Sequence, residues 1–235
     1  LGRDQGAWQY WSLVWYTEFN RTIQPNTQER RAGTRLAGCR LFSFLREDER
    51  GIRGIRVENK YLKEYMRVFC HRRDAYGVQT EEGAYYSVRE PVTEQLVQAH
   101  LLGELTAGFY AVDQKDTVRW AVLDADEENG LAQLQEMGLL LQEKGWPVYL
   151  EDSRRGGHLW IFFSADAEWE ERIGAFPVRA VLSHYLSELG LGDEVELFPK
   201  QDELRADGLG NLVRGPLGVH QVCDRRFGFL ELSTL

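Results

Sequence analysis

The sequence lacks any long hydrophobic run. No stretch of about 18 apolar residues occurs in its 235 residues, so a transmembrane helix is not expected. The N-terminus has no basic region followed by an apolar stretch, which predicts that it is not a secretory signal peptide. An initiator Met is also missing, so we expect a fragment trimmed from a longer chain. Internal repeats and low-complexity segments are absent as well, and the chain therefore has the pattern of an ordinary globular protein.

Cysteine is scarce. Cys39, Cys70 and Cys223 are odd in number and widely spaced, which favours a reducing, cytoplasmic compartment over a disulfide framework. The pair Cys70-His71 could collect a zinc ion together with the other two cysteines. Because the sequence contains no CxxC pair, buried or surface thiols are the simpler interpretation.

The net charge of −9 is unevenly distributed. Residues 29–73 contain 13 Lys or Arg and 6 Asp or Glu, a local excess of seven positive charges (13 − 6), and the rest of the chain is strongly acidic. A basic segment joined to an acidic body fits a phosphate backbone on one side and metal-binding carboxylates on the other. A solvated helical face would give the same charges, and charge alone does not separate the two.

The chain divides into two parts by pattern. In residues 1–20, aromatic residues recur at three- and four-residue steps (Trp8, Trp11, Trp15, Phe19), which predicts an amphipathic helix. We expect an N-terminal aromatic-rich and basic region over residues 1–70 and a separate core over residues 71–235.

The pattern of the core is mixed α and β. Helices are predicted after Thr93, over the segment that ends at Gly145 and Pro147, and around Pro177, which should interrupt the last of them. Strands are predicted over residues 118–124 and over the segments WPVYLED, GHLWIFFS and DEVELFP, with a short extended piece at GNLVRGPLG. Glu127 and Glu128 should lie in the first turn of the second helix, where the helix dipole favours acids.

Asp124 and Asp126 stand two residues apart at the end of a predicted strand. Side chains of a strand alternate between faces, so both carboxylates should project the same way. Convergent carboxylates suit Mg²⁺ or Mn²⁺, which prefer oxygen ligands. Asp126 could instead cap the following helix, and the pair alone does not decide between the two.

The stretch SRRGGHLWIFF is a more specific signal. Its paired glycines let the backbone approach a ligand, and Arg154 and Arg155 supply charge suited to phosphates. His158 opens an apolar strand, on the same face as Trp160 and Phe162 by alternation. We expect this histidine to meet an anion.

Two later segments add polar groups. Glu196 lies inside the apolar strand VELFP, where a carboxylate either faces solvent or joins a metal site. Lys200 follows closely enough to reach a triphosphate bound there. The segment GNLVRGPLGVH contributes Arg214 and His220, although it could also be a turn-rich connection.

Taken in order, VLDAD, SRRGGHLWIFF, VELFPKQ and GNLVRGPLGVH resemble the archaeo-eukaryotic primase superfamily, the primase-polymerases. The family's hDhD/E, s-x-H and hD/E motifs correspond to Asp124-Ala125-Asp126, Gly156-Gly157-His158 and Val195-Glu196. The segments CHRRDAYGVQ and LLGELTAGFYAVD are similar to the branch found beside CRISPR systems and in related prokaryotic conflict systems. The resemblance covers residues 70–223; one departure is Gly156, where the family commonly has a small or hydroxyl residue.

The resemblance implies an α+β catalytic core with an RRM-like sheet, an accompanying α/β unit and an active site in the cleft between them. It implies template-directed nucleotidyl transfer with two Mg²⁺ or Mn²⁺ ions, using nucleoside triphosphates and a DNA template and primer. Asp124, Asp126 and Glu196 would be catalytic metal ligands. The nucleotide would bind at a basic set: Arg154, Arg155, His158, Lys200, Arg214 and His220. Arg72 and Arg73, with the basic segment before them, would contact nucleic acid.

Two other function classes remain open on the sequence. A catalytically inactive module could hold nucleic acid without metal, and a metal-dependent nuclease could use the same carboxylates. Three acids at matched motif positions favour an enzyme, because a nucleic-acid-binding surface gains nothing from added negative charge.

Overall fold

The computed structural model describes residues 57–163 and 173–234. The predicted aromatic helix of residues 1–20 and most of the basic segment lie outside these ranges. The chain separates into two units, Leu1–Tyr61 and Leu62–Leu235. The division at residue 70 stays a prediction. In the ranges described, no helix is long and apolar enough to cross a membrane.

The second unit contains the helices and sheets that position the site. The α-helices are α1 (Asn59–Phe69), α2 (Glu94–Leu102), α3 (Gly130–Glu143) and α4 (Ala175–Glu188), and a 3₁₀ turn covers Leu232–Thr234. Helix α1 begins just before the second unit. The strands are β1 (Tyr76–Gln79), β2 (Tyr85–Val88), β3 (Ala107–Tyr110), β4 (Thr117–Val118), β5 (Trp120–Ala125), β6 (Val148–Asp152), β7 (Gly157–Phe162), β8 (Ile173–Gly174), β9 (Glu196–Phe198), β10 (Leu212–Arg214), β11 (Val219–His220), β12 (Arg225–Arg226) and β13 (Phe229–Leu230). The chain is therefore of the mixed α+β class, as predicted.

A five-stranded antiparallel sheet carries the predicted motifs. Its strand order is β13-β6-β7-β5-β9. In the chain, β5, α3, β6, β7, α4 and β9 occur in the order βαββαβ, with the two-residue β8 of another sheet between β7 and α4. Their four strands lie side by side as β6-β7-β5-β9. This is the split βαβ arrangement of RRM-like domains, which confirms the predicted sheet.

A four-stranded antiparallel sheet forms the second layer. Its strand order is β10-β3-β1-β2. Strand β10 is the edge that brings Arg214 to the five-stranded sheet, because the Arg214 guanidinium bonds to Glu151 of β6. The two sheets are thus joined through a buried polar contact.

An aromatic cluster fills one face of the five-stranded sheet. Trp120 and Trp160 are buried, with ring centroids 5.1 Å apart, and Phe69 of α1 packs edge-on at 5.4 Å from Trp160. The Trp120 indole also donates to the Phe69 carbonyl over 3.0 Å, so its one polar atom is satisfied. Because alternate residues of a strand share a face, Asp124 and His158 lie on this same face beyond the cluster.

Local signals explain the helix ends. Thr93 caps α2, since its hydroxyl accepts from the Leu96 amide over 3.2 Å, and Gly145 follows α3 with a left-handed φ of 81°. Pro177 does not interrupt α4, contrary to expectation. It lies in the first turn of that helix, where its missing N–H costs no intrahelical bond.

The start of α3 corrects another prediction. The helix begins at Gly130 with Asn129 as the cap residue, so Glu127 and Glu128 precede the helix and are not in its first turn. Asp126 does not cap it either, which removes the structural alternative for that carboxylate.

Candidate active site

A row of titratable side chains crosses the five-stranded sheet. The strand register places Glu151 of β6 opposite His158 of β7, His158 opposite Asp124 of β5, and Asp124 opposite Glu196 of β9. Residues directly opposite each other on neighbouring strands point to the same face. The fold therefore brings Asp124, His158 and Glu196, from three separate sequence motifs, into one line.

Asp124 occupies the centre of this row and is mostly enclosed. Its Oδ1 atom is buried and has no hydrogen-bond partner, while its Oδ2 lies 3.7 Å from His158 Nε2. Burial raises the pKa of Asp124, and the nearby Glu196 charge raises it further against the opposing effect of His158. A carboxylate held this way lacks a cation.

The other two predicted acids are exposed and already paired with cations. Asp126 forms an ion pair with Arg155, and Glu196 accepts from Lys200 Nζ over 2.8 Å. Lys200 also lies over the Phe198 ring at 4.8 Å from its centroid. Both ion pairs are solvent-accessible and worth little, so ligands can replace them.

The backbone around His158 is fitted closely to the aspartate motif. A side chain at Gly156 would overlap the carbonyl oxygen of Ala125, between the two aspartates. The Gly156 amide also donates to Ser153 Oγ over 3.2 Å. Glycine is therefore the residue that fits at position 156 without displacing the end of β5, and Ser153 holds the turn.

Three of the predicted nucleotide-binding residues differ in exposure and in their contacts: Arg154, His220 and Arg214. Arg154 is exposed. His220 is near the row: burial lowers its pKa, and the charges of Arg214, Arg154 and His158 lower it further. Arg214 is 7 % exposed and donates to Glu151 Oε1 over 2.7 Å, so its guanidinium is committed to a buried carboxylate.

The two arginines predicted to bind nucleic acid, Arg72 and Arg73, also differ in exposure. Arg72 is buried and donates to both carboxylate oxygens of Asp74, at 2.8 and 3.0 Å, and to the Gly208 carbonyl. Arg73 is exposed, with long bonds to the carbonyls of Met66 and Cys70. Only Arg73 presents its charge at the surface.

Glu151 is the functional-site residue that sequence reasoning missed. It is fully buried and accepts from Arg214, Trp160 Nε1 and His158 Nδ1. An acid inside the apolar strand VYLED was a signal of the same kind as Glu196. Its partners could not be read from the sequence, because they depend on the register of two other strands.

Carboxylate oxygens are the ligand type that Mg²⁺ and Mn²⁺ prefer, and the unpartnered Asp124 Oδ1 is a position that such an ion would satisfy. The residues present therefore fit a divalent metal. As they stand, no three His, Cys, Asp or Glu side chains within residues 57–163 and 173–234 are disposed to hold one. Asp126 and Glu196 would first have to leave Arg155 and Lys200.

The zinc alternative gains no support in the ranges described. Cys39 lies outside them, Cys223 is exposed, and Cys70 is buried. Burial raises the pKa of the Cys70 thiol, which disfavours the thiolate that zinc requires.

Comparison with known proteins identifies a family for this chain. The family described as the archaeo-eukaryotic primase domain of the TOTE conflict system matches residues 59–235. The polymerase domain of Mycobacterium tuberculosis ligase D, solved in complex with DNA, is similar in structure at a TM-score of 0.36 and 13% identity, covering 72% of this chain and 71% of that one. No curated protein matches the chain significantly. On the family match, which includes all four motifs, this chain belongs to the archaeo-eukaryotic primase domain family of TOTE conflict systems.

Proposed function

We propose that the protein is a template-directed nucleotidyltransferase that joins nucleoside triphosphates to a 3′-hydroxyl on DNA, with Asp124, Asp126 and Glu196 as metal ligands. The observation that carries the proposal is the row Glu196–Asp124–His158, in which a mostly buried carboxylate, its Oδ1 without a hydrogen-bond partner, lies between a second acid and a histidine. A buried carboxylate oxygen with only a structural role would normally be hydrogen-bonded or paired with a cation.

Two divalent ions at these carboxylates would lower the pKa of the attacking hydroxyl and neutralise charge on the leaving pyrophosphate. Asp124 is the anchor, because its Oδ1 has no partner to give up. Asp126 and Glu196 would bind the ions once their exposed ion pairs with Arg155 and Lys200 have opened. The metal preference between Mg²⁺ and Mn²⁺ is part of the proposal's test.

Arg155 and Lys200, once released from the acids, would also bind the nucleotide. Once Arg155 and Lys200 leave Asp126 and Glu196, both lie beside the row and can bind triphosphate oxygens. Arg154, exposed in the same turn, adds a third charge. His158 Nε2 faces the same space and contacts the phosphates at its end of the row. These side chains position the nucleotide and offset charge in the transition state.

Nucleic acid would contact the exposed Arg73, together with the basic segment that precedes it. Arg72 contributes indirectly, by fixing Asp74 and the Gly208 loop. Arg214 likewise acts through Glu151, whereas His220 stays a candidate contact at the border of the site. CRISPR association is a matter of genomic neighbourhood and forms no part of the proposal.

Product length separates the proposal from its alternatives. The protein is incubated with a 5′-labelled primer annealed to a longer DNA template, with Mn²⁺ or Mg²⁺ and either NTPs or dNTPs. Longer products that require the template support the proposal. Shortened primers would show a nuclease, and unchanged primers that nevertheless bind the protein without metal would show a binding module.

A further inference from the structure

Glu151 is a buried carboxylate at the non-catalytic end of the row. Its side chain is completely inaccessible to solvent and accepts three hydrogen bonds, from Arg214 Nη2 at 2.7 Å, Trp160 Nε1 at 2.8 Å and His158 Nδ1 at 3.0 Å. Three donors converging on one carboxylate from two sheets are more than a packing role requires.

The charge state of Glu151 follows from these partners. Burial alone would raise the pKa of Glu151, but the Arg214 guanidinium and the bonds from His158 and Trp160 outweigh burial and hold that pKa below its ordinary range. An ionised carboxylate can only accept hydrogen bonds. The His158 Nδ1 atom must therefore carry a proton.

We propose that Glu151 is a positioning residue: it holds His158 as the Nδ1–H tautomer and so reserves Nε2 for the nucleotide side of the row. His158 Nε2 lies 3.7 Å from Asp124 Oδ2, beyond hydrogen-bond distance, so this nitrogen keeps its bonding capacity for a ligand. Any further proton can enter the ring only at Nε2. The tautomer is independent of the proposed function, and its effect on phosphate contact rests on that function.

Arg214 stabilises the ionised form of Glu151. It comes from the four-stranded sheet, lies 5.5 Å above the Phe227 ring, and balances the Glu151 charge. Without it, Glu151 would be a lone buried charge and would take up a proton instead of accepting a hydrogen bond from His158. Arg214 therefore supports His158 from behind and does not itself reach the triphosphate.

The tautomer is measured directly by NMR of the whole chain labelled with ¹⁵N-histidine. The protein has five histidines, and His158→Asn identifies the signal of interest. In the neutral ring we expect a protonated Nδ1 and a bare Nε2, the reverse of the form that free histidine prefers. A protonated Nε2 with a bare Nδ1 in the native protein would overturn the proposal.

A double variant tests whether Glu151 sets the tautomer of His158. Glu151→Met combined with Arg214→Met removes both buried charges together and should leave a folded protein in which the Nε2–H form of His158 predominates. The matched control is Asp152→Asn, one residue along β6, whose ion pair is with Arg225 and which should keep the native pattern. A folded double variant that keeps the Nδ1–H form would show that Glu151 does not set the tautomer.

Activity gives the second readout. Loss of the partner that orients a metal-ligating histidine typically costs about 10–100-fold. We expect a reduction of similar size in primer extension by the double variant, because His158 is oriented in the same way. Undiminished extension by the double variant would refute the positioning role. If the native protein itself extends no primer, the nucleotidyltransferase assignment fails while the tautomer result still decides the role of Glu151.

Discussion

Asp124, the central carboxylate of the proposed metal site, has few interactions that stabilise its charge. It is mostly enclosed, its Oδ1 has no partner, and Glu196 stands opposite it on the neighbouring strand. Burial and the Glu196 charge raise its pKa, so ionised Asp124 opposes folding when no cation is bound.

This predicts a stability gain on neutralisation. Because the folded-state pKa of Asp124 exceeds the unfolded value, its cost is absent at low pH, where both states are protonated, and grows as pH rises through the folded pKa. In chelator at pH 7, Asp124→Asn should therefore stabilise the protein by about 1 kcal/mol, or about 2–4 °C in Tm. Thermal melts should show the gain shrinking towards pH 4.

The matched control for that measurement is Asp193→Asn, an exposed acid that is not a member of the row and which should leave Tm unchanged. A lower Tm for Asp124→Asn at pH 7 would mean that its carboxylate is satisfied in the free protein.

Arg72 and Arg73 are adjacent in sequence and should behave oppositely. Arg72→Met removes three part-buried hydrogen bonds of a buried guanidinium and should destabilise the fold by about 1–3 kcal/mol. Arg73→Gln should change stability by less than about 0.5 kcal/mol, yet lower by about 1 the slope of log affinity against log salt for primer-template DNA. Fluorescence anisotropy over a salt series measures that slope. An unchanged slope for Arg73→Gln would remove Arg73 from the DNA contact.

At the scale of elements, the turn before β7 must fit against the end of β5. A Cβ at Gly156 would overlap the Ala125 carbonyl oxygen, which is backbone and cannot yield without moving the strand end that carries Asp124 and Asp126. Gly156→Ala should cost about 1–3 kcal/mol or more and slow primer extension. Denaturant unfolding and extension rates measure the two effects.

Gly192→Ala is the control for that substitution, because nothing lies within 4 Å of a Cβ at Gly192. It should change stability by less than about 0.5 kcal/mol. Equal stability of the two alanine variants would show that the turn can move away from β5.

The elements that the sequence predicted well are those specified by local pattern. Thr93 and Gly145 mark helix ends because caps and left-handed turns are properties of a few neighbouring residues. Pro177 was misread, since proline breaks a helix interior but is tolerated in a first turn, and the pattern did not show where α4 begins.

The parts that sequence could not predict depend on distant contacts. Glu151 and Arg214 are 63 positions apart, and Arg72 meets the Gly208 carbonyl across 136. Two adjacent arginines in a sequence look like surface charge until the fold buries one of them and supplies its acceptors. The row through Asp124 was foreseeable as a set of motifs, whereas the fourth member, Glu151, needed the strand register.

For the whole molecule, the Glu151–Arg214 bond joins the two sheets that frame the site. Removing one partner of a buried ion pair typically costs about 3–5 kcal/mol, because the other charge is left unpaired, while replacing both can be nearly neutral. Arg214→Met should therefore destabilise more than Glu151→Met/Arg214→Met. Urea unfolding of both single variants and the double measures the coupling. Additive losses would mean that the pair does not couple the sheets.

The carboxylates at the end of β5 should be needed for chemistry and not for folding. The primer-extension rate of Asp124→Asn/Asp126→Asn in Mn²⁺ tests this, measured beside the native protein and with Tm recorded for both. We expect a Tm no lower than native and extension slower by ~10³-fold or more, because groups that bind the catalytic ions are lost. Native-rate extension by the folded double variant would contradict it.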